Sequence, residues 1–277
     1  MSTLWLLGRD FTGTAEVGAK AGKQIGIALA KGGAAKLYAH QDPNEDACLA
    51  MEGDAGALLA VADGHGGEEG ARVAIEHLRD AARTWCDERG RQSDETWRER
   101  LTGTFVAIHE AVLALRQRDD AGKLKRAART TLSLALLRRP EGRVFACSVG
   151  DSHVYRVDDD ECHDLAWPRG ASTHFLGSAK LTRTNIDEAL FLNACPAEGH
   201  VALVVATDGL SEPGIGAADP KALVREAIAE ARERPNAERA SAAAQRIVDE
   251  TCEAQHQNGA GDNVAVAVVW STPTGTR

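Results

Sequence analysis

Asp63, Asp151, Asp208 and Asp262 each stand beside an apolar, strand-like run, and they are scattered widely through the chain. The run Ala57-Leu58-Leu59-Ala60-Val61-Ala62 leads into Asp63-Gly64-His65-Gly66-Gly67. Val201 to Ala206 leads into Thr207-Asp208-Gly209, and Val144 to Val149 into Gly150-Asp151-Ser152. Asp262-Asn263 precedes Val264 to Trp270, and Asn44-Glu45-Asp46 adds two adjacent carboxylates in a polar turn. Singly, an Asp-Gly or Asp-Asn pair at a strand end reads as a turn. Repeated, the pairs describe a set of hard oxygen donors, suited to Mg²⁺ or Mn²⁺ rather than zinc. Carboxylates that converge on one point stay ionised together only with cations between them. Two such ions about 3.5–4 Å apart can share a water, lower its pKa from about 15.7 toward about 7, and so make a nucleophile for phosphorus. His65, close after Asp63, is placed to protonate the leaving oxygen.

The elements that must bring these residues together can be read from periodicity. Ala71, Ala74, Ile75, Leu78, Ala82 and Trp85 recur at helical spacing. So do Trp97, Leu101, Phe105, Ile108, Val112 and Leu115, with Ser93 or Asp94 as cap. Thr131 to Leu137, Val144 to Val149 and His153 to Val157 are strands joined by turns too short for anything but antiparallel neighbours. Asp219-Pro220 starts a helix running to about Glu233, and Pro235-Asn236 opens another. Ala35 to Ala39 is expected as a strand. Residues 1–34, rich in glycine, are expected as an N-terminal arm or edge strand, and 163–200 as irregular structure on one rim. His77 and His109 lie on the first two helices and are expected to be structural or surface residues. Hairpins with grouped helices predict antiparallel sheets covered by helix pairs, in a single domain over 1–277.

Composition excludes several classes. The chain has 277 residues, 43% hydrophobic and 26% charged, with a formal charge of -9. That charge disfavours nucleic-acid binding and makes a metal-dependent nuclease a poor reading. No run of about 18 apolar residues exists, so no membrane span is expected. Met1 to Gly8 lacks the charged flank of a signal peptide. The six cysteines form no Cys-x-x-Cys pair and are expected to be reduced thiols of a cytoplasmic protein. Gly13 and Gly18 have P-loop spacing, but Ala19 stands where the lysine must be. There is no His-Glu-x-x-His and no Gly-x-Ser-x-Gly.

The whole set of motifs resembles the metal-dependent protein phosphatases of type 2C, in its bacterial form. The matching pieces are Asn44-Glu45-Asp46-Ala47, Asp63-Gly64-His65-Gly66-Gly67, Thr130-Thr131, Gly150-Asp151-Ser152, Ala206-Thr207-Asp208-Gly209-Leu210 and Gly261-Asp262-Asn263, in the family's order. The resemblance implies an α+β fold, a four-layer α-β-β-α sandwich of two antiparallel sheets flanked by helix pairs. It implies that Asp63, Asp208 and Asp262 ligate two Mn²⁺ or Mg²⁺ ions, with the Gly64 carbonyl as a further ligand and Glu45 and Asp46 in support. His65 looks like the general acid, with Asp63 the other catalytic position. Asp151 and Glu212 match positions that hold a third metal in bacterial relatives. The implied substrate is phosphoserine or phosphothreonine on a protein, with an opposing serine/threonine kinase or its targets as partners.

The chain departs from that pattern in three places. Gln41 stands where the family has an arginine that grips the substrate phosphate. A glutamine cannot form the bidentate fork, and its loss costs phosphate binding roughly 1.5–3 kcal/mol if nothing replaces it. The segment between Asp151 and Asp208 is shorter than the usual flap-bearing one. His153 replaces the arginine common after Gly-Asp-Ser. These departures motivate an alternative, a catalytically weak phosphatase-like binding or regulatory module.

Overall fold

A strand covered on both faces needs apolar side chains at every position, not at alternate ones. That explains why the central strands of this chain read as unbroken apolar runs. The computed structural model describes residues 1–14, 16–36, 44–115, 127–166 and 174–271. One six-stranded sheet has the order β1 (Ser2–Leu7), β4 (Ala47–Gly53), β5 (Gly56–Ala62), β8 (Leu132–Arg138), β9 (Arg143–Val149), β12 (Phe191–Pro196). The other has the order β11 (Cys162–Asp164), β10 (His153–Val157), β13 (Ala202–Ala206), β14 (Val264–Trp270), β3 (Ile25–Ala30), β2 (Val17–Ala21). Neighbouring strands in both sheets are antiparallel.

Alternation within each strand divides the core into three layers. Leu49, Met51, Leu58, Ala60, Leu134 and Leu136 face outward from the first sheet onto α1 (Glu69–Ala81) and α2 (Asp94–Ala114). Cys48, Leu59, Val61, Ala135, Val205, Ala267 and Val269 fill the space between the sheets. Val204, Val264, Val266 and Val268 face α4 (Pro220–Ala231) and α5 (Arg239–Asn258). The result is the α-β-β-α sandwich the motifs implied. Two of its helices, α2 and α4, start where the sequence says, while α5 begins at Arg239, past the expected Pro235-Asn236. The Ser93 hydroxyl accepts from the Thr96 amide at 3.1 Å, and an Asp219 carboxylate oxygen accepts from the Ala222 amide at 2.9 Å.

Three segments depart from expectation. Residues 1–34 are more than an arm or edge strand. They supply β1, β2 and β3, and β3 is an interior strand buried throughout, because Ile25, Ile27 and Leu29 pack between the sheets. In 163–200, expected as irregular, α3 (Ile186–Ala189) leads into β12, which pairs with β9 as an edge strand. Its residues are only half-buried, which blurs the alternation a sequence reading needs. Of the strand expected at Ala35 to Ala39, Lys36 makes an isolated bridge with Gly261, and 37–39 lie outside the described residues. His77 is exposed, and buried His109 accepts from the Gly177 amide. All six cysteines are free thiols. No helix among the described residues is long and apolar enough to cross a membrane.

Candidate metal centre

The antiparallel registers carry the acids to one end of the sandwich. Ala47 pairs with Ala62, so Asp46, just before β4, lies across from Asp63, just after β5. Ala206 at the end of β13 pairs with Val266 near the start of β14, which brings Asp208 toward Asp262. His153 pairs with Ala206, so the turn carrying Asp151 reaches the same end. That turn needs Gly150, whose φ of +111° lies in the left-handed region.

The acids meet in two groups. Carboxylate oxygens of Asp63, Asp151 and Asp208 all lie within 4.8 Å of one another, and so do those of Asp208, Glu212 and Asp262. Asp208 belongs to both. Glu212 joins because the chain turns helically after Asp208, with the Glu212 amide on the Asp208 carbonyl at 2.7 Å. Gly209 makes that turn possible, since a Cβ there would fall 1.9 Å from the Asn263 carbonyl oxygen. Glu45 and Asp46 stand outside both groups. A Glu45 carboxylate oxygen accepts from the Gly67 amide, where φ is +118°. Gly64 pairs with Thr130 and His65 with Arg129, across the ribbon of β6 (Gly64–His65) and β7 (Arg129–Thr130). Gln41 lies outside the described residues.

A second layer of short polar side chains holds this arrangement. The Thr207 hydroxyl donates to Asp46 Oδ2 at 2.7 Å and accepts from the Ala265 amide at 2.8 Å. Asn263 accepts from the Glu45 amide at 2.9 Å and donates to the Lys31 carbonyl at 2.9 Å. Thr131 Oγ1 accepts from the Asp63 amide at 3.0 Å, and the Thr130 hydroxyl donates to the Asp63 carbonyl at 2.9 Å. These residues are fully or almost fully buried; Thr207 and Asn263 tie one sheet to the other under the acids, and Thr130 and Thr131 fix Asp63. Each adjoins an acid or sits in one of the motifs, but the sequence alone does not show that these side chains hold the acids in place. Lys36 carries no such signal, since it falls within the strand expected at Ala35 to Ala39. Its Nζ lies 3.0 Å from Asp262 Oδ1.

The electrostatics say what is missing. Two like charges at such separations repel by about 3–4 kcal/mol at an effective dielectric of about 20. Burial and the Asp262 charge push the Asp46 carboxyl up to about 7. Burial, then Asp208, Asp46 and Asp262, hold Asp63 well above the usual carboxylate range. Asp208 is raised in the same way by burial and by Asp151, Asp262, Asp46 and Glu212, although its residue keeps some contact with solvent. Burial raises Asp151 and Glu45. Buried Asp46 Oδ1 and Asp151 Oδ1 have no hydrogen-bond partner, which is unusual for buried polar atoms. All-oxygen donors, crowded and under-satisfied, fit divalent cations such as Mg²⁺ or Mn²⁺.

His65 sits on the rim. Its Nδ1 is 3.7 Å from Asp63 Oδ1, and its ring packs on Phe175 with centroids 4.4 Å apart. Burial lowers its pKa below the ordinary value. The Arg129 guanidinium lies over the other partner of this stack, 5.3 Å from the Phe175 centroid. The third departure also has a structural meaning. His153 Nδ1 is 2.6 Å from Asp164 Oδ2, and His153 Nε2 is 2.6 Å from Ser211 Oγ, within the turn that bears Asp208 and Glu212.

The model of a family described as protein phosphatase 2C matches residues 35–263. A search of curated proteins gives no match. Among solved structures, the serine/threonine phosphatase Stp1 from Staphylococcus aureus superposes with a TM-score of 0.62 at 17% identity, covering 96% of this chain and 100% of that one. The serine/threonine phosphatase PstP/Ppp of Mycobacterium tuberculosis does so with a TM-score of 0.58 at 19% identity, covering 92% and 98%. The PPM Ser-Thr phosphatase MsPP from Mycobacterium smegmatis, in complex with cacodylate, gives 0.61 at 20%, covering 91% and 100%. At these identities the likeness is one of fold.

Proposed function

The chain belongs to the protein phosphatase 2C family, and from that footing we propose that it hydrolyses phosphoserine and phosphothreonine on proteins. The observation that carries the reading is the pair of carboxylate groups sharing Asp208 at one end of the sandwich, with His65 beside them. Asp63, Asp151, Asp208, Glu212 and Asp262 would hold Mn²⁺ or Mg²⁺, with Glu45, Asp46 and the Gly64 carbonyl adjoining. Bound divalent ions would supply an activated water and charge for the phosphate oxygens.

The chain's own residues supply the rest. His65, its ring against Phe175 on the rim, delivers a proton to the departing serine or threonine oxygen. The lowered imidazole pKa makes it a readier acid once protonated. A phosphate dianion approaching so many carboxylates also needs a fixed cation. Arg129, paired with His65 across the ribbon, offers a guanidinium there that compensates for Gln41. The partners are phosphorylated proteins, namely the targets of a serine/threonine kinase or the kinase itself.

The test is hydrolysis of an aryl phosphate and of a phosphothreonine peptide, with and without Mn²⁺, by the wild type and by Asp208→Asn. Metal-dependent turnover lost in the variant supports the reading, and equal rates in the two proteins overturn it.

A further inference from the structure

A lysine beside a metal ligand is an unusual neighbour, because it offers the ligand a cation of its own. Lys36 is 9% exposed, and its ammonium lies 3.0 Å from Asp262 Oδ1. The backbone fixes it there. Lys36 bridges in parallel to Gly261, and the Gly261 amide donates to the Ala35 carbonyl at 3.0 Å. Gly261 is required for this approach, since a Cβ would fall 1.9 Å from the Ala34 carbonyl oxygen. Gln255 ties the same segment to the Asp208 turn, accepting from the Gly33 amide at 2.8 Å and donating to the Gly209 carbonyl at 3.0 Å. The ammonium therefore belongs to the floor of the centre.

Burial alone would strip the charge from such a lysine. Here the ion pair with Asp262 Oδ1 at 3.0 Å opposes that tendency. Asp262 Oδ1 also accepts from the Asn263 amide at 2.8 Å. That oxygen is thus already satisfied by protein donors, unlike the orphaned oxygens of Asp46 and Asp151. The two carboxylate groups are consequently unequal. Asp63–Asp151–Asp208 contains no ligand paired to a lysine or arginine among the described residues, whereas Asp208–Glu212–Asp262 does.

We propose that Lys36 is a tethered counter-cation that competes with divalent metal for the Asp262 carboxylate, so that the Asp208–Glu212–Asp262 group fills only at higher metal concentration than the Asp63–Asp151–Asp208 group. The inference rests on the metal-centre reading above and adds a graded occupancy to it. Divalent metal must displace the ammonium or share Asp262 with it, and either route weakens binding.

The experiment titrates the metal-free protein with Mn²⁺ alone, by calorimetry and by the electron paramagnetic resonance signal of free Mn²⁺. The wild type is expected to show a tighter and a weaker class of site. Lys36→Met, which keeps the length of the side chain and removes its charge, should tighten the weaker class at least tenfold and leave the tighter one within about threefold. Lys36→Gln serves the same purpose should the methionine variant not fold, and Lys36→Arg, retaining charge, should behave like the wild type. Asp262→Asn added to Lys36→Met should abolish the gain. Unchanged or weaker binding in both neutral variants overturns the proposal while leaving the metal centre intact. So does a raised KM for aryl phosphate with unchanged Mn²⁺ affinity, which would make Lys36 a phosphate contact. Absence of Mn²⁺ uptake by every protein overturns the metal centre itself and this inference with it.

Discussion

Two of the chain's buried charged clusters are treated oppositely. Arg138, fully buried, lies 4.6 Å from the Trp97 ring centroid and pairs with Glu141 at 3.1 Å. Its remaining donors go to the carbonyls of Trp85 and Glu88. Glu141 in turn accepts from the Trp97 indole at 3.0 Å and the Gln92 amide at 3.0 Å. Burial works to raise the Glu141 carboxyl, but Trp97 and Arg138 outweigh it and hold it below its usual value. At the metal centre the balance tips the other way. Asp63 and Asp208 are held well above the usual range, and buried oxygens lack partners. The same fold can satisfy a buried ion when that ion only joins helices to a sheet. Where it leaves several unsatisfied at once, the missing partners must come from solution.

The comparison breaks first if removing a charge has the same sign in both places. Arg138→Ala leaves Glu141 buried without its cation and should cost about 3–5 kcal/mol, read as a lower midpoint in urea unfolding. Asp208→Asn should do the reverse in metal-free protein at pH 8, raising stability by about 1–3 kcal/mol through relief of like-charge crowding. The same variant should lose at least about a hundredfold in Mn²⁺-dependent turnover, since even outer partners of metal ligands are worth about 10–100-fold. A destabilised, metal-free Asp208→Asn would mean the carboxylates are partnered after all.

The second way to sharpen the contrast is pH. Asp46 moves from 3.8 to about 7 on folding. The folded state therefore holds a proton that the unfolded chain has already released. That contribution to stability is full below about pH 4 and lost as pH rises through about 7. Even half of a shift that size is worth about 2 kcal/mol. The metal-free protein should accordingly melt on the order of 5 °C lower at pH 8 than at pH 5. With Mn²⁺ the slope should flatten or invert, because ligands must be deprotonated to bind. Scanning calorimetry with and without chelator measures both slopes, and a metal-free midpoint that rises with pH contradicts the account.

How much of this could be read in advance depended on how each element is buried. The strands ending at Asp63 and Asp208 and starting after Asp262 are apolar throughout, so their limits and their acids were plain. The cap at Asp219 was plain from the Asp-Pro pair, whereas Ser93 and Asp94 were alternatives that only the hydrogen bond to the Thr96 amide decides in favour of Ser93. β3 was missed because Gly22, Gly26, Gly32 and Gly33 dilute its apolar pattern. Gly26 is there for packing, as a Cβ would meet the backbone of Ser241 at 2.4 Å. The role of Lys36 was illegible, because it depends on a single isolated bridge between segments more than two hundred residues apart.

Thr207 tests the layer beneath the acids. Thr207→Val keeps the shape and removes the hydroxyl that serves Asp46 and the Ala265 amide. Both groups are buried, so each is left unsatisfied. The expected result is a loss of about 10–100-fold in Mn²⁺ affinity, with a smaller fall in thermal midpoint. Thr207→Ser should restore most of it, and an affinity unchanged in the valine variant would make the hydroxyl a bystander.

The smallest effect belongs to the His153 relay, and it asks whether the centre's neighbourhood is built like Arg138's pocket. An ionised carboxylate only accepts, so Asp164 fixes the proton on His153 Nδ1 and leaves Nε2 facing Ser211 Oγ. The Ser211 amide donates to the Asp208 carbonyl at 2.7 Å, so an imidazole that anchors the Ser211 hydroxyl steadies the turn that carries Asp208 and Glu212. No atom of the relay is itself within either carboxylate group. Removing it should therefore loosen the ligands rather than remove one. Ser211→Ala is expected to weaken Mn²⁺ binding by about fivefold, the worth of one hydrogen bond of about 1 kcal/mol. His153→Phe, which keeps the ring and forfeits both bonds, should do so by more and should strand Asp164 without its donor. If both variants bind Mn²⁺ as the wild type does, the turn is held by its own backbone bonds, and the partnered surroundings of the metal centre end at Thr207 and Asn263.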